Sequence, residues 1–289
     1  VLKIKFALDR IEPWTQSGNS ISGVDLSTPG WIKVRYMSEN YIDAATTTWQ
    51  QCRDFLQRYP FAILPLGATE QHGLHLPQNT DSLIAEAMAL QVGKQSLGMI
   101  LPTIPIGYSW VWRDYPGSLT LSFDTFRSLI KDIVLSLDRN GCRGLLILTT
   151  HGANPQPIKY SIRELIDHSP IRILRVFYPN LSEIMVDADS PTWQPTNFHA
   201  EEFETSLMLH LHPHLVDMTR AVCEYPPHSL DYEMSTLPMG ALSRSGVFGD
   251  ATVATAEKGE RWFNACVTNI VKVWREFLDL PGDESNQPS

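Results

Sequence analysis

Gly144-Leu145-Leu146-Ile147-Leu148-Thr149 is the most strongly apolar run in the chain, and a polar loop, Thr150 to Asn154, follows it directly. A near-continuous apolar run of this length is typical of a strand that is covered on both faces of a sheet. Phe61-Ala62-Ile63-Leu64-Pro65-Leu66 is a second run of the same kind. Shorter runs lie at Met99 to Leu101, with Ile104 after it, and at Ile171 to Val176. These four segments are predicted to be the strands of one central sheet.

Amphipathic segments alternate with these strands, as expected for helices that cover a sheet. Helices are predicted at Asp81 to about Gln91, from Asp124 as N-cap to a stop at Gly141, and at Gln156–Asp167, Glu202–His210 and Ala256–Phe277. Alternating strands and helices predict an α/β fold, a single-domain layered sandwich whose mostly parallel central sheet carries helices on both faces. A chain of 289 residues fits one large domain. Residues 1–28 give mixed signals and stay unassigned, and residues 281–289 are predicted to form a frayed polar tail.

The charge balance disfavours some kinds of partner, and the cysteine pattern indicates a reducing compartment. The chain has 23 basic and 32 acidic residues, a net charge of −9, which disfavours binding to nucleic acid or to an anionic membrane surface. No apolar run approaches the roughly 20 residues that a membrane-spanning helix needs, and the first residues lack the apolar core of a signal peptide. The four cysteines are far apart and are predicted to be free thiols of a reducing compartment. A cytoplasmic protein with a small-molecule partner is therefore expected.

A group of potential metal ligands follows the Phe61 strand. Glu70, His72, His75 and Asp81 lie within twelve residues, and Asp81 stands at the predicted start of the next helix. Carboxylates together with imidazoles suit zinc, manganese or iron(II). In parallel sheets ligands bind beyond the carboxyl ends of the strands, which is where this loop lies. The loop is therefore predicted to form a metal site.

Two further segments supply donors of the same type. His151 follows the Leu145 strand, and His199 precedes Glu202 and Glu204. On a helix Glu204 is rotated by about 200° from Glu202, so one of the two carboxylates is expected to face the site while the other holds the backbone or a neighbouring side chain. Glu201 is predicted to be an acidic first-turn residue that favours the helix dipole.

Together these loops supply enough donors for two ions bridged by one carboxylate. Such a pair activates a water molecule, and a nearby histidine can protonate a leaving nitrogen. This chemistry points to amide or cyclic-amide hydrolysis.

In these motifs the sequence resembles the creatininase (creatinine amidohydrolase) family, which includes formamidopyrimidine-nucleotide deformylases and a peptidase of mycofactocin maturation. The matching stretches are Gly67 to Asp81, His151 to Asn154, His199 to Leu209, Gly246 to Gly259 and the turn Tyr115-Pro116-Gly117-Ser118. The resemblance implies an α/β domain, a dinuclear metal site holding two divalent ions (Zn, Mn or Fe) and a homo-oligomer, commonly a hexamer. It places Glu70, His72, Asp81 and His151 on metal-ligand positions, with Asp81 as the bridge. It makes His199 the catalytic histidine and gives Glu204 a role either in orienting His199 or in supporting the metal ligands from behind.

The sequence departs from this family pattern at two places. Creatininase itself reads His-Tyr-Glu-Asn where this chain has Gly152 and Ala153 after His151, so a tyrosine and a ligating glutamate are absent. Glu202 is the remaining candidate for the fifth ligand. The usual His-Ala-Gly-Glu also appears here with Glu201 in place of the glycine.

Several aromatic residues near these motifs are candidates for binding a small planar substrate by stacking. They are Tyr108, Trp110, Trp112 and Trp193. The predicted function is hydrolysis of a non-peptide C–N bond, most simply that of a creatinine-like cyclic amide, with His199 as acid and base. The alternatives are a formylamino-pyrimidine deformylase, a short-peptide hydrolase and a metal-binding oligomeric scaffold without catalysis.

Overall fold

The computed structural model describes residues 40–191, 199–227 and 235–279. Its central sheet has five parallel strands in the order β1-β3-β2-β4-β5. The strands are β1 Tyr41–Asp43, β2 Phe61–Leu66, β3 Gly98–Ile100, β4 Gly144–Thr149 and β5 Arg172–Val176. A short antiparallel pair, β6 Cys223–Glu224 and β7 Gly249–Asp250, lies outside this sheet. The predicted parallel sheet is confirmed, and β1 is an additional edge strand.

Seven helices of the described ranges follow the strands along the chain. They are α1 Trp49–Arg58, α2 Thr80–Gln95, α3 Phe123–Arg139, α4 Pro155–Glu164, α5 Leu181–Ile184, α6 Glu202–Leu211 and α7 Ala256–Asp279. The sequence placed the N-cap of α3 at Asp124, whereas the structure has Ser122 there, whose hydroxyl accepts a hydrogen bond from the Thr125 amide at 3.2 Å. Gly141 follows the end of α3 with a φ of 84°, a left-handed conformation that suits glycine and stops the helix. None of the described helices is long and apolar enough to cross a bilayer.

All six residues of β4 are buried, which shows that the sheet is covered on both faces at this strand. On one face Leu146 and Leu148 join a core that is shared with α2, α6 and α7. Leu145 and Ile147 alternate to the opposite face and are also fully buried. Helices α3 and α4 pack against each other, and α4 packs against β5. The expected α/β sandwich with helices on both faces is thus confirmed.

The register of the sheet decides where the functional loops begin. Leu66, the last residue of β2, is paired with Thr149, the last residue of β4. The loop that starts at Gly67 and the loop that starts at Thr150 therefore leave the same edge of the sheet side by side. A Cβ atom on Gly67 would lie 2.5 Å from the Ser82 backbone, so only glycine allows this loop to pass so close to the start of α2.

Candidate metal centre

Six buried ionisable residues converge beyond the carboxyl ends of β2 and β4. They form three overlapping groups whose ligand atoms lie within 4.8 Å of one another: Glu70, His72 and His199; Glu70, Asp81 and His151; and His72, Asp81 and Glu204. All six residues are buried, with at most 5 % of each residue exposed. The loop after β2 supplies Glu70 and His72, and the first turn of α2 supplies Asp81. His151 comes from the loop after β4, Glu204 from α6, and His199 from the segment just before α6.

Asp81 lies between two of the histidines. Its Oδ2 atom is 3.4 Å from His151 Nδ1, and its Oδ1 atom is 3.6 Å from His72 Nε2. Glu70 Oε1 is 3.1 Å from His151 Nδ1 and 3.8 Å from His199 Nδ1. Glu204 Oε2 is 3.8 Å from His72 Nε2.

Each of the three histidines has one ring nitrogen within hydrogen-bond distance of a backbone carbonyl. His72 Nδ1 lies 3.1 Å from the Glu70 carbonyl oxygen, and His151 Nε2 lies 3.0 Å from that of Tyr108. His199 Nε2 lies 2.7 Å from the carbonyl oxygen of Gln71. Since a carbonyl only accepts, the bonded nitrogen carries a proton, and the other nitrogen of each ring points towards the carboxylates. This arrangement is typical of metal-ligating histidines.

Several buried atoms of this centre have no hydrogen-bond partner among the described residues. They are both carboxylate oxygens of Glu70, His72 Nε2 and Asp81 Oδ2, and all of them except Glu70 Oε2 have only ion-pair contacts with neighbouring side chains. Leaving a buried polar atom unpaired costs about 1–3 kcal/mol, and more for a charged group. Divalent cations would satisfy all of these atoms at once, so the residues present fit a metal centre.

The electrostatics of the centre without metal divide the histidines into two kinds. Burial lowers the pKa of His72, but the Asp81, Glu204 and Glu70 carboxylates outweigh it and raise that pKa to about 9. Burial is likewise outweighed at His151, where Glu70 and Asp81 raise the pKa well above its usual value. At His199, burial and the neighbouring positive charge of His72 hold the pKa well below its usual value. His199 is therefore the neutral imidazole of the group.

The two neighbouring glutamates of α6 have different surroundings. Glu204, the residue expected to orient His199, faces the centre, and its Oε2 also accepts a hydrogen bond from the Ala200 amide at 2.6 Å. Burial raises the pKa of Glu204 to about 7, and the His72 charge opposes that shift.

Glu202, expected to be the fifth metal ligand, is not brought to the centre. Its carboxylate accepts hydrogen bonds from Lys258 Nζ at 2.6 Å and from the Asp189 and Ser190 amides at 3.0 and 2.8 Å. The physical reason is the helical rotation between the two positions, since α6 begins at Glu202 and can point only one of them at the centre.

Other polar residues of the motifs hold the loops rather than join the centre. His75 Nε2 lies 2.8 Å from the Thr205 hydroxyl, which ties the loop after β2 to α6. Glu201 is the N-cap of α6, where its carboxylate accepts from the Phe203 amide at 2.9 Å. It thus lies immediately before the helix rather than in its first turn.

The aromatic candidates do not share one environment. Trp112 is 2 % exposed and stacks on His199, so it supports the histidine instead of presenting an open face. Trp110 is half-buried, and the Arg113 guanidinium covers its ring at 4.0 Å. Tyr108 is half-buried and contacts Phe123 edge to face. Trp193 lies outside the described residues.

Sequence reasoning missed the structural role of Asn154. Its amide nitrogen donates to the Gly67 carbonyl at 3.0 Å and to the Thr149 hydroxyl at 3.1 Å, and its oxygen accepts from the Tyr108 amide at 2.9 Å. One side chain thus joins the ends of β2 and β4 to the segment that holds His151. The sequence feature that could have indicated this role is the position of Asn154, at the end of the polar loop after β4 and directly before Pro155, where a helix begins.

Comparison with known proteins identifies the family. Residues 45–274 match the creatininase family model, described as creatinine amidohydrolase. The creatinine amidohydrolase of Pseudomonas putida is 31 % identical over 231 residues, which cover 74 % of this chain and 88 % of that protein. The mycofactocin precursor peptide peptidase of Mycolicibacterium smegmatis is 29 % identical over 228 residues, which cover 75 % of this chain and 86 % of the peptidase.

A solved structure of a manganese form of creatininase has a similar fold. Its TM-score is 0.71 at 26 % identity, and the match covers 83 % of this chain and all of the other. The metal-centre loops, the parallel sheet and these matches agree with one another. The chain belongs to the creatininase family of metal-dependent hydrolases that act on C–N bonds.

Proposed function

We propose that this protein hydrolyses the C–N bond of a small cyclic amide of the creatinine type, with two divalent ions and with His199 as the proton carrier. The observation that carries the proposal is the arrangement of three histidines, each of which gives one ring nitrogen to a backbone carbonyl and turns the other towards one cluster of carboxylates. A structural cluster of buried charges would not need that shared orientation.

Two ions can be assigned to the described residues with Asp81 shared between them. Glu70, Asp81 and His151 would hold one ion, and His72, Asp81 and Glu204 would hold the other. Asp81 suits a bridge because its two oxygens face different histidines. Glu204 here takes the ligand role that was expected of Glu202. Zinc, manganese and iron(II) all accept this mixture of donors.

When bound, such ions polarise the scissile carbonyl and bring the pKa of a bound water towards neutrality. His199 is free for proton transfer in this assignment, because neither ligand set includes it. Its Nδ1 keeps the lone pair while Nε2 is held by the Gln71 carbonyl, so Nδ1 would take the proton of the attacking water and deliver it to the leaving nitrogen. The low pKa of His199, caused first by burial, keeps it in the neutral form that a base requires.

Substrate contacts follow from the aromatic residues that are partly accessible. We assign Tyr108 and Trp110 to the substrate and keep Trp112 as a support of His199, with Trp193 remaining a prediction. The homo-hexamer implied by the family resemblance and the cytoplasmic location also remain predictions.

A short peptide is the second candidate substrate, and the environment of Gly152 favours it. Among the described residues, a Cβ atom at Gly152 would meet only Phe177 Cζ, at 3.9 Å, so this part of the structure leaves space at that position. Creatininase itself has a tyrosine there, and its absence leaves room for a substrate larger than a single ring. A formylamino-pyrimidine would be accommodated by the same space.

The test measures metal content and turnover on the purified protein. Two zinc or manganese ions per chain are expected by elemental analysis, together with hydrolysis of creatinine, a formamide or a C-terminal dipeptide. His199→Gln should keep the metal and lose at least about 100-fold in kcat, in the range typical of general acid–base catalysis. Glu202→Gln is the matched control, since it changes a neighbouring carboxylate outside the centre. Full metal content without turnover on all three substrates would instead support the scaffold alternative.

A further inference from the structure

Gln71 lies between Glu70 and His72, and every polar group of this residue is hydrogen-bonded. Its amide donates to the Ser118 hydroxyl at 3.1 Å, and its carbonyl oxygen lies 2.7 Å from His199 Nε2. Its side-chain nitrogen donates to the Gly246 carbonyl at 3.0 Å, and its side-chain oxygen accepts from the Gly73 amide at 2.9 Å. The residue is 6 % exposed. One buried side chain thus connects the metal-ligand loop to a distant turn.

That turn also holds the backbone of His199. Two residues after Gly246, the Phe248 amide donates to the His199 carbonyl at 2.9 Å. The turn itself is fixed by Glu224, whose carboxylate accepts from the Arg244 and Ser245 amides at 2.9 Å each. The His199 ring is therefore hydrogen-bonded to the Gln71 carbonyl. The His199 backbone is hydrogen-bonded to the same turn that the Gln71 side chain contacts through Gly246.

The fit between Gln71 and this turn leaves no free space. Gly246 has a φ of 85°, which favours glycine. A Cβ atom there would lie 1.9 Å from Gln71 Oε1. The Gln71 side chain therefore packs directly against the backbone of Gly246, and no larger residue fits at that position.

We propose that Gln71 is a positioning residue that sets the place of His199 relative to Glu70, through its carbonyl at the ring and through its side-chain amide at the 243–248 turn. The role of His199 in proton transfer rests on the proposed function, whereas its position does not. Loss of the Gln71 amide would remove no metal donor. It would remove the hydrogen bond that holds the 243–248 turn. His199 would then be free to move, and the distance between His199 Nδ1 and Glu70 Oε1, now 3.8 Å, would change.

The test uses Gln71→Met, which keeps the length of the side chain and removes its hydrogen bonds. Gln78→Met is the matched control, because Gln78 lies in the same loop and donates to a backbone carbonyl, that of Pro116 at 2.9 Å, without contacting His199. Gln71→Met is expected to lower kcat by about 10- to 100-fold with KM within about threefold, the range seen when a group supporting a metal site is lost. Gln78→Met should stay within about threefold of the wild type in both constants.

A crystal structure of each variant separates this proposal from the proposed function. Displacement of His199 by more than about 0.5 Å in Gln71→Met, but not in Gln78→Met, would support the positioning role even if the wild type hydrolysed none of the amides offered. Equal kcat values and unmoved His199 rings in both variants would overturn it. Gln71→Glu, which has the same shape but cannot donate to the Gly246 carbonyl, provides the same comparison if the methionine variant does not fold.

Discussion

The Trp112 ring stacks on the His199 ring, with 4.2 Å between their centroids and 24° between their planes. The Phe248 ring also packs against Trp112, with 5.6 Å between the ring centroids and 62° between the planes, so the indole contacts both the histidine and the turn that holds it. This relationship assigns Trp112 to the support of the centre.

Replacement of Trp112 should therefore cost stability. Trp112→Ala is expected to lower the free energy of unfolding by about 3–5 kcal/mol, as for other buried large-to-small changes. Urea denaturation monitored by circular dichroism measures it. Trp110→Ala, at a half-buried position, should cost clearly less, and an equal loss in both variants would contradict the burial of Trp112.

Asp81 is the residue on which both proposed ions depend. Asp81→Asn keeps the shape and removes the charge, so metal content should fall from two ions per chain to at most one. Inductively coupled plasma mass spectrometry after gel filtration counts the ions. Glu202→Gln should retain both ions, and a loss of metal in that variant would restore Glu202 as a ligand.

The buried pair of Lys258 and Glu202 should be important for stability and not for metal binding. Lys258 Nζ also contacts Asp189 and the Val253 carbonyl, so Lys258→Met would leave Glu202 buried without its cation. Breaking a buried pair in this way costs about 3–5 kcal/mol. A double-mutant cycle with Glu202→Leu, measured by urea denaturation, should show that the double variant loses less than the sum of the single losses. Additive losses would argue against the pair.

Metal affinity should rise with pH. In the metal-free protein His72 has a pKa of about 9 and the pKa of His151 is also raised, so below these values a metal ion must displace protons from both rings. Affinity is expected to increase by up to about tenfold per pH unit for each proton displaced and to rise less steeply above about pH 9, where His72 has lost its proton. Chelator competition between pH 6 and pH 9.5 measures it. His72→Gln should bind more weakly with a shallower slope, whereas a flat profile in the wild type would contradict the assignment.

Much of the centre was predictable because its residues follow strand ends. The apolar runs at 61–66 and 144–149 predicted two strands of one mostly parallel sheet, and Glu70, His72 and His151 come shortly after them. The start of α2 at Thr80 then explains why Asp81 reaches the same place. Periodicity and strand-end position suffice for such residues, since parallel strands end at one edge of the sheet.

The sequence by itself determined the α/β class, the loops that carry the chemistry and the type of donor, because these depend on local pattern and composition. Only the tertiary structure decided that Glu204 and not Glu202 faces the centre, that Trp112 supports His199, and that Gln71 reaches Gly246 across 175 positions of the chain. These relationships depend on where α6 begins and on how distant turns pack against one loop. Such contacts join residues far apart in the chain, so no local periodicity specifies them.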